Sequence, residues 1–492
     1  MYICGNLSND IMHNLIGRQY EVEELERIYR SGRPEFVVIY GRRRVGKTFL
    51  VTQALKGRIS FHHTGIFPEE GEKNPKQIQL ESFYFSLLSH GMEGIQKPKS
   101  WMEAFYYLEQ LLIQKDNGSR QVVFLDELPW MDTPKSGFLS AFEGFWNGWC
   151  SDHDNIMLVV CGSATSWILD NISHNEGGLY GRSTQEIKLS PFTLGNCEEY
   201  FEHEGIELSR YDIVQTYMVF GGIPYYLRQF RKGLSFEGNT DSILFGPRPK
   251  LNDEFNKLFR AIFRNSEDCK KIIRFLATRH SGFTREDISK ATGIPYGGGL
   301  SDTLSALAES DFILRYTPYG EKGAVERYKL IDNFCLFWIK YVEPQKEDES
   351  FMSDSITSDI MRSWRGIAFE EVCWQHIPQI KRALGIDGVK TKTSAWNVKG
   401  DDNNDGAQID LLISRADNIV NLCEMKFSGD SYVIDKEENL RIRKRLDSIG
   451  KTLSPKQRTH FTMVTTYGVA YGKYSGIVQK QVIMDQLFSH SF

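Results

Sequence analysis

The sequence predicts a multidomain α/β chain, and three observations carry that prediction. Short continuous apolar runs, "FVVIY" at 36–40 first among them, recur through the N-terminal third, as strands of a parallel sheet buried on both faces do. The middle of the chain has the rhythm of three helices with two flanking strands. Near the C-terminus two further apolar runs, 408–414 and 419–427, meet across "RADN", a hairpin turn, after an amphipathic helix at 362–380.

At 492 residues the chain exceeds one core, and about two to four domains are expected. The apolar share (41%) and charged share (25%) are those of an ordinary globular protein. A net charge of −5 gives no global attraction to nucleic acid, so such binding would come from local patches. The eight cysteines are scattered, without a C-x-x-C pair or zinc spacing, and read as buried thiols in a reducing compartment. No run reaches the ~18–20 apolar residues of a membrane span. The N-terminus lacks the basic start and long apolar stretch of a signal peptide. A soluble, cytoplasmic protein with no membrane partner is expected.

The run at 36–40 feeds into Gly41, Arg42, Arg43, Arg44, Val45, Gly46, Lys47 and Thr48, and Phe49 opens a helix. Glycines let the backbone fold around an anion, and successive N–H groups with the helix N-terminus point at phosphates. Lys47 would neutralise the β/γ oxygens, and Thr48 would hold Mg²⁺ through its hydroxyl. The strand expected at 120–128 ends on Asp126-Glu127, the Walker B arrangement: Asp126 would support Mg²⁺ and Glu127 would polarise the attacking water. A third strand, 156–167, ends in Gly-Ser-Ala-Thr. Ser163 or Thr165 there would read the γ-phosphate or the lytic water, or else cap a helix. Arg182, in the glycine-rich "GGLYGRSTQ", is either an arginine finger or a surface arginine.

"NLIGRQYEVEELERIY", "IYGRRRVGKT", "VVFLDELPWM", "CGSATSW", "GLYGRSTQEIKLSPF" and "GGIPYYL" occur in this order. Together they resemble the archaeal-type ATPase family, a branch of the AAA-like and STAND P-loop NTPases common in archaea and Bacteroidetes. The resemblance covers roughly the first half of the chain. It implies a five-stranded parallel sheet (1–195) capped by a small helical lid (196–250). It also implies that Arg18 and the Gly-Ile-Pro224 segment lie near the adenine of a bound ATP.

The segment 251–344 reads as a winged helix. Thr284 caps a second helix, a Gly-Ile-Pro turn leads to a third near 300–310, and "FILRYTPY" and "ERYKLID" form the wing. The third helix carries Asp302 and Glu309 but no Lys or Arg, which a base-reading helix needs. Basic residues sit upstream instead, eleven against six acidic over 248–290. A structural or protein-contact role, for a partner or a second copy of the chain, is preferred over sequence-independent DNA contact. The stretch 345–355 reads as a linker.

In the last segment, 356–492, Asp410 lies in the first run and "EMK" closes the next, so Glu424 and Lys426 share a strand face. Two carboxylates, Asp410 and Glu424, would share a divalent ion while Lys426 orients water or steadies developing charge. Glu370 or Glu371 on the upstream helix is a further acid, and 435–451 is a basic helix suited to a phosphate backbone. Helix with Glu, strand with Asp, then Glu-x-Lys is similar to the PD-(D/E)XK nuclease fold. The loop before Asp410 holds Asp401, Asp402 and Asp405, but lacks the glutamate of a calcium loop and reads as a flexible connection. The expectation is an ATPase using ATP and Mg²⁺ that gates a nuclease acting on DNA with Mg²⁺ or Mn²⁺. The alternative is a STAND-like regulatory ATPase whose C-terminal domain only binds nucleic acid or protein.

Overall fold

Runs of β-branched and aromatic residues without polar alternation can hide both faces, and they do so in the first sheet. The computed structural model describes residues 15–67, 71–173, 177–263, 265–320, 325–345, 348–398 and 407–490. Asp401, Asp402 and Asp405 lie outside them. Strands β1 (Glu35–Tyr40), β2 (Ile59–Thr64), β3 (Gln121–Asp126), β4 (Ile156–Gly162) and β5 (Gln185–Lys188) form one sheet. Their order is β2-β3-β4-β1-β5, and every pairing is parallel. β3 and β4 are buried along their whole length. Phe36 of β1 meets an aromatic layer with Phe83, Trp101, Phe138, Phe142 and Trp146 in one buried core.

Parallel strands all end at one edge, so this order decides where the chemistry gathers. β4 lies between β1 and β3. The glycine loop after β1, the acidic pair after β3 and the serine after β4 are therefore neighbours. Helix α1 (Lys47–Ala54) starts directly from the loop, with Gly46 as its N-cap.

The chain divides into two compact units, one reaching Pro191 with the segment 260–264, the other holding 192–259 and everything from 265 onward. In the second, α2 (Ser266–Leu276), α3 (Arg285–Thr292) and α4 (Gly298–Glu309) accompany a small antiparallel sheet. That sheet is β6 (Phe283–Thr284), β7 (Ile313–Tyr316) and β8 (Arg327–Leu330), in the order β6-β8-β7. Thr284 and Asp287 form a reciprocal capping box at the start of α3, and Gly293 closes it in the left-handed region. Leu300, Leu304 and Leu307 give α4 a buried stripe.

The stretch that reads as a linker is partly folded. Residues Phe351–Ser355 are helical, with Phe351 and Met352 buried. The Asp241 carboxylate accepts from Met352 N (2.7 Å), Ser353 N (3.0 Å) and Ser353 Oγ (2.6 Å). Phe351 packs on Phe245, ring centroids 5.0 Å apart. The polar "QKEDES" disguised an apolar anchor, and the carboxylate that caps it lies more than a hundred residues upstream.

The last sheet is β9 (Thr391–Val398), β10 (Ala407–Arg415), β11 (Ile419–Lys426), β12 (Arg458–Thr465) and β13 (Lys480–Ile483), in the order β13-β12-β11-β10-β9. β9, β10 and β11 are antiparallel, and β11, β12 and β13 run parallel. Helix α5 (Asp359–Gln375) packs on β11, and α6 (Lys436–Gly450) connects β11 to β12. Asn418, φ 65°, supplies the hairpin turn of "RADN". The seven cysteines within the described residues are buried free thiols. No helix among the described residues is long and apolar enough to cross a membrane.

Replacing Asp241 with alanine strands two helix N–H groups, which costs about 1–3 kcal/mol. The expected result is a lower urea midpoint for Asp241→Ala, partly recovered by Asp241→Asn.

Candidate functional site

The loop after β1 bends where only glycine bends freely. Gly41 has φ 140°, and a Cβ there would come within 2.3 Å of the Leu189 carbonyl oxygen. Gly46 has φ 95°, and Arg44 is held at φ 75° without being glycine. Such alternating curvature turns successive N–H groups toward one concavity, an anion cradle. Lys47 is only 5% exposed. Its Nζ donates to Gly41 O (2.9 Å), Arg42 O (3.1 Å) and Ser163 Oγ (3.0 Å). Burial lowers its pKa, and the Glu127 carboxylate works against that.

Thr48 Oγ1 donates to Asp126 Oδ2 at 2.7 Å, the two groups expected to serve Mg²⁺. A hydroxyl beside a carboxylate is the hard-oxygen donor set that Mg²⁺ takes. Burial, then the neighbouring Glu127 charge, pushes the Asp126 carboxyl up to about 6. Glu127 sits in the left-handed region at φ 47°. Its Oε1 accepts from Ser163 Oγ (2.6 Å) and its Oε2 from Ser163 N (3.0 Å). Ser163 thus links Lys47 to Glu127. It does not cap the following helix, Thr165–Ile168, whose N-cap is Ala164. Thr165 is fully buried at the start of that helix.

The other loop residues are placed more simply. Arg18 is buried and its Nη2 donates to Val45 O (3.3 Å) and Ser190 O (2.8 Å), so the guanidinium lies on the backbone of the loop. Arg42 is buried, and Arg43 lies 5.7 Å from the Trp130 ring centroid. Phe49 is exposed. Arg182 is exposed in a turn with Gly181 at φ 64°. Pro224 belongs to the other compact unit, at the first position of the short helix Pro224–Leu227. Beside it Gly222 and Phe192 press backbone to backbone, since a Cβ on Gly222 would lie 1.9 Å from the Phe192 oxygen.

The hairpin register that pairs Leu411 with Cys423 brings Asp410 opposite Glu424. An irregularity between Ile409 and Leu412, where β10 meets β9, falls at Asp410, as bulges do where a side chain is re-aimed. Gln408 Nε2 donates to Asp410 Oδ1 at 2.6 Å. Glu424 is buried; Lys426 Nζ lies 2.8 Å from its Oε1, and Arg445 Nη1 of α6 lies 2.7 Å from its Oε2. Burial alone would raise the Glu424 pKa, but these two cations hold it below the usual carboxylate range. Burial and then Glu424 raise Asp410. Burial, then Asp410 and Glu371, push Glu370 up to about 9.

Among the described residues no group of three or more His, Cys, Asp or Glu is arranged to hold a metal ion. Both oxygens of Glu424 are engaged by cations, so an ion shared with Asp410 would have to displace Lys426 or Arg445 from one of them. Sequence reasoning missed Arg445, hidden among the other basic residues of α6. It also missed Lys329 of β8, which lies 2.9 Å from Glu371 Oε1. A lysine in the interior of the short strand "RYKL", between Tyr328 and Leu330, was the available signal.

Residues 15–230 match the family model of an ATPase domain predominantly from Archaea. The chain is 26% identical over 402 residues to the uncharacterized protein MJECL04 of Methanocaldococcus jannaschii, covering 81% of this chain and 83% of that protein. Among solved structures it is similar to the Walker-type ATPase PABY2304 of Pyrococcus abyssi, with TM-score 0.47 and 20% identity over 67% of this chain and 97% of that one. Another is the STAND protein PH0952 of Pyrococcus horikoshii, which has a tetratricopeptide repeat sensor: TM-score 0.28 and 14% identity, over 76% of this chain and 48% of that one.

Since a proton competes with Mg²⁺ for Asp126, Mg²⁺-dependent nucleotide affinity is expected to fall as pH drops through about 6, measurable by calorimetric titration. Glu370 bears on stability instead. Its folded pKa is raised from 4.5 to about 9, so its contribution is fully present below 4.5 and is lost as pH rises toward 9. Glu370→Gln is therefore expected to raise the melting temperature at pH 8, with a gain that fades by pH 4.5.

Proposed function

We propose that the chain, whose residues 15–230 match the family model of an ATPase domain predominantly from Archaea, hydrolyses ATP at the loop 41–48 and uses that cycle to gate a metal-dependent nuclease site acting on DNA. The hydrogen-bonded chain Thr48–Asp126 and Lys47–Ser163–Glu127 carries the first half. Lys47 would leave its loop carbonyls for the β/γ-phosphate oxygens, and Thr48 and Asp126 would hold Mg²⁺. That ion, when bound, supplies charge neutralisation between the phosphates. Glu127, oriented by both the N–H and the hydroxyl of Ser163, would take the proton of the attacking water. Arg182, exposed in its turn, would serve as an arginine finger.

For the second half, Glu370 on α5, Asp410 and the Glu424-x-Lys426 strand pair, followed by α6 and the parallel β12, support a PD-(D/E)XK-like domain at 356–492. Mg²⁺ or Mn²⁺ would be held by Asp410 with Glu424 or Glu370. Lys426 would steady charge on the phosphate. The remaining segments are 1–195 as ATPase core, 196–250 as helical lid, 251–344 as winged helix, and 345–355 as a docked connection. The third helix of the winged segment has no Lys or Arg, which favours contact with protein, a partner or a second copy, over base reading.

One observation favours a second reading. Lys426 and Arg445 already neutralise Glu424, as expected of a regulatory ATPase whose C-terminal domain only binds nucleic acid or protein.

Cleavage of plasmid and single-stranded DNA with Mg²⁺ or Mn²⁺, with and without ATP, separates the two. Lys47→Ala is expected to lower ATP turnover about 100-fold and to change cutting, while Asp410→Ala abolishes cutting and leaves ATP turnover intact. No cutting under any condition, with turnover intact, would overturn the nuclease reading and favour the second.

A further inference from the structure

Lys329 has no role in the function proposed above, yet it is one of the most deeply placed charges in the second unit. It lies on β8 of the small antiparallel sheet and is 5% exposed. Its Nζ is 2.9 Å from Glu371 Oε1 and 5.0 Å from the Trp374 ring centroid. A buried ammonium is tolerated only where its charge is matched, and here the match comes from a different module, on α5. With Glu370 and Asp410, Lys329 lines one pocket, whose other walls include His280, Tyr316 and Trp396. Its charge works against the raised pKa of Glu371 most directly, and more weakly against those of Glu370 and Asp410.

The small sheet is anchored where this delivery requires it. Tyr319 N donates to Ala395 O of β9 at 2.9 Å, and its hydroxyl donates to Gln457 Oε1 at 2.8 Å. Gln375, at the end of α5, donates from Nε2 to Ile331 O at 2.9 Å, immediately after β8. Trp374 Nε1 donates to Asp410 O at 3.1 Å, tying the same helix to the acidic strand. The lysine therefore enters the carboxylate cluster on a braced strand.

We propose that Lys329 is a positioning residue of the C-terminal carboxylate site: a counter-cation supplied by the three-stranded module, against which a divalent ion competes for Glu370 and Asp410. The inference rests on the reading of that cluster as a divalent-cation site. Its ammonium orients Glu371 and offsets the neighbouring acids while the module is docked. A divalent ion entering the pocket meets that positive charge, so ion binding and the docked lysine oppose one another.

The test is a Mn²⁺ titration of the nucleotide-free full-length chain, with free ion followed by electron paramagnetic resonance. Lys329→Met alone would leave Glu371 buried without its partner, so the pair is removed together in Lys329→Met/Glu371→Gln. That double variant is expected to bind Mn²⁺ about tenfold more tightly than wild type, and adding Asp410→Asn is expected to abolish the gain. Glu371→Gln alone keeps the ammonium beside Glu370 and Asp410 and is expected to show no gain. Equal affinity in wild type and double variant would overturn the role of Lys329 while leaving the cation site standing. If neither binds Mn²⁺, and Asp410→Asn changes nothing, the cation-site reading falls with it.

Discussion

A charge taken out of water must be met by fixed groups of opposite sign or by oxygens, and that constraint organises both halves of this protein. In the first unit the charge is Lys47. Two loop carbonyls and a serine hydroxyl surround its ammonium. Those acceptors exist at one place only because β4 is threaded between β1 and β3. The sheet order is thus the means by which a glycine loop, an acidic pair and a serine, spread over more than a hundred residues of sequence, come to share protons.

The strain at this edge has the same origin. Glu127 is held at a positive φ that a non-glycine residue adopts at a cost. In return its carboxylate takes both the N–H and the hydroxyl of Ser163. Gly41 meets the Leu189 carbonyl so closely that no side chain fits. Backbone conformation and polar geometry are therefore one feature seen at two scales.

In the second unit the imbalance runs the other way, with acids in excess. Glu424 is matched by two cations, Lys426 from its own strand and Arg445 from α6. Glu371 is matched by Lys329. Among the described residues no ion pair reaches Glu370 or Asp410, and their carboxyls respond by holding their protons to higher pH. The difference in pKa direction between Asp410 and Glu424, neighbours across one hairpin, follows from which of them the cations reach.

What could be read from the sequence is what neighbours in the chain decide. Gly41 to Thr48, the Asp126-Glu127 pair and the "RADN" hairpin are local patterns, since a phosphate cradle or a two-strand turn needs only consecutive residues in fixed conformations. Strand periodicity likewise placed Glu424 and Lys426 on one face. The tertiary structure alone decided which of Ser163's open readings its geometry supports, because the Ser163 partners arrive from two other strand ends. It alone turned Arg445 from one basic residue among several into the partner of Glu424. It brought Lys329 to an acid on another module, and it folded part of an apparent linker onto Asp241. In each of these cases the deciding energy is that of a buried polar group finding its counterpart. Such counterparts are specified by strand order and helix packing, and spacing along the chain leaves no trace of them.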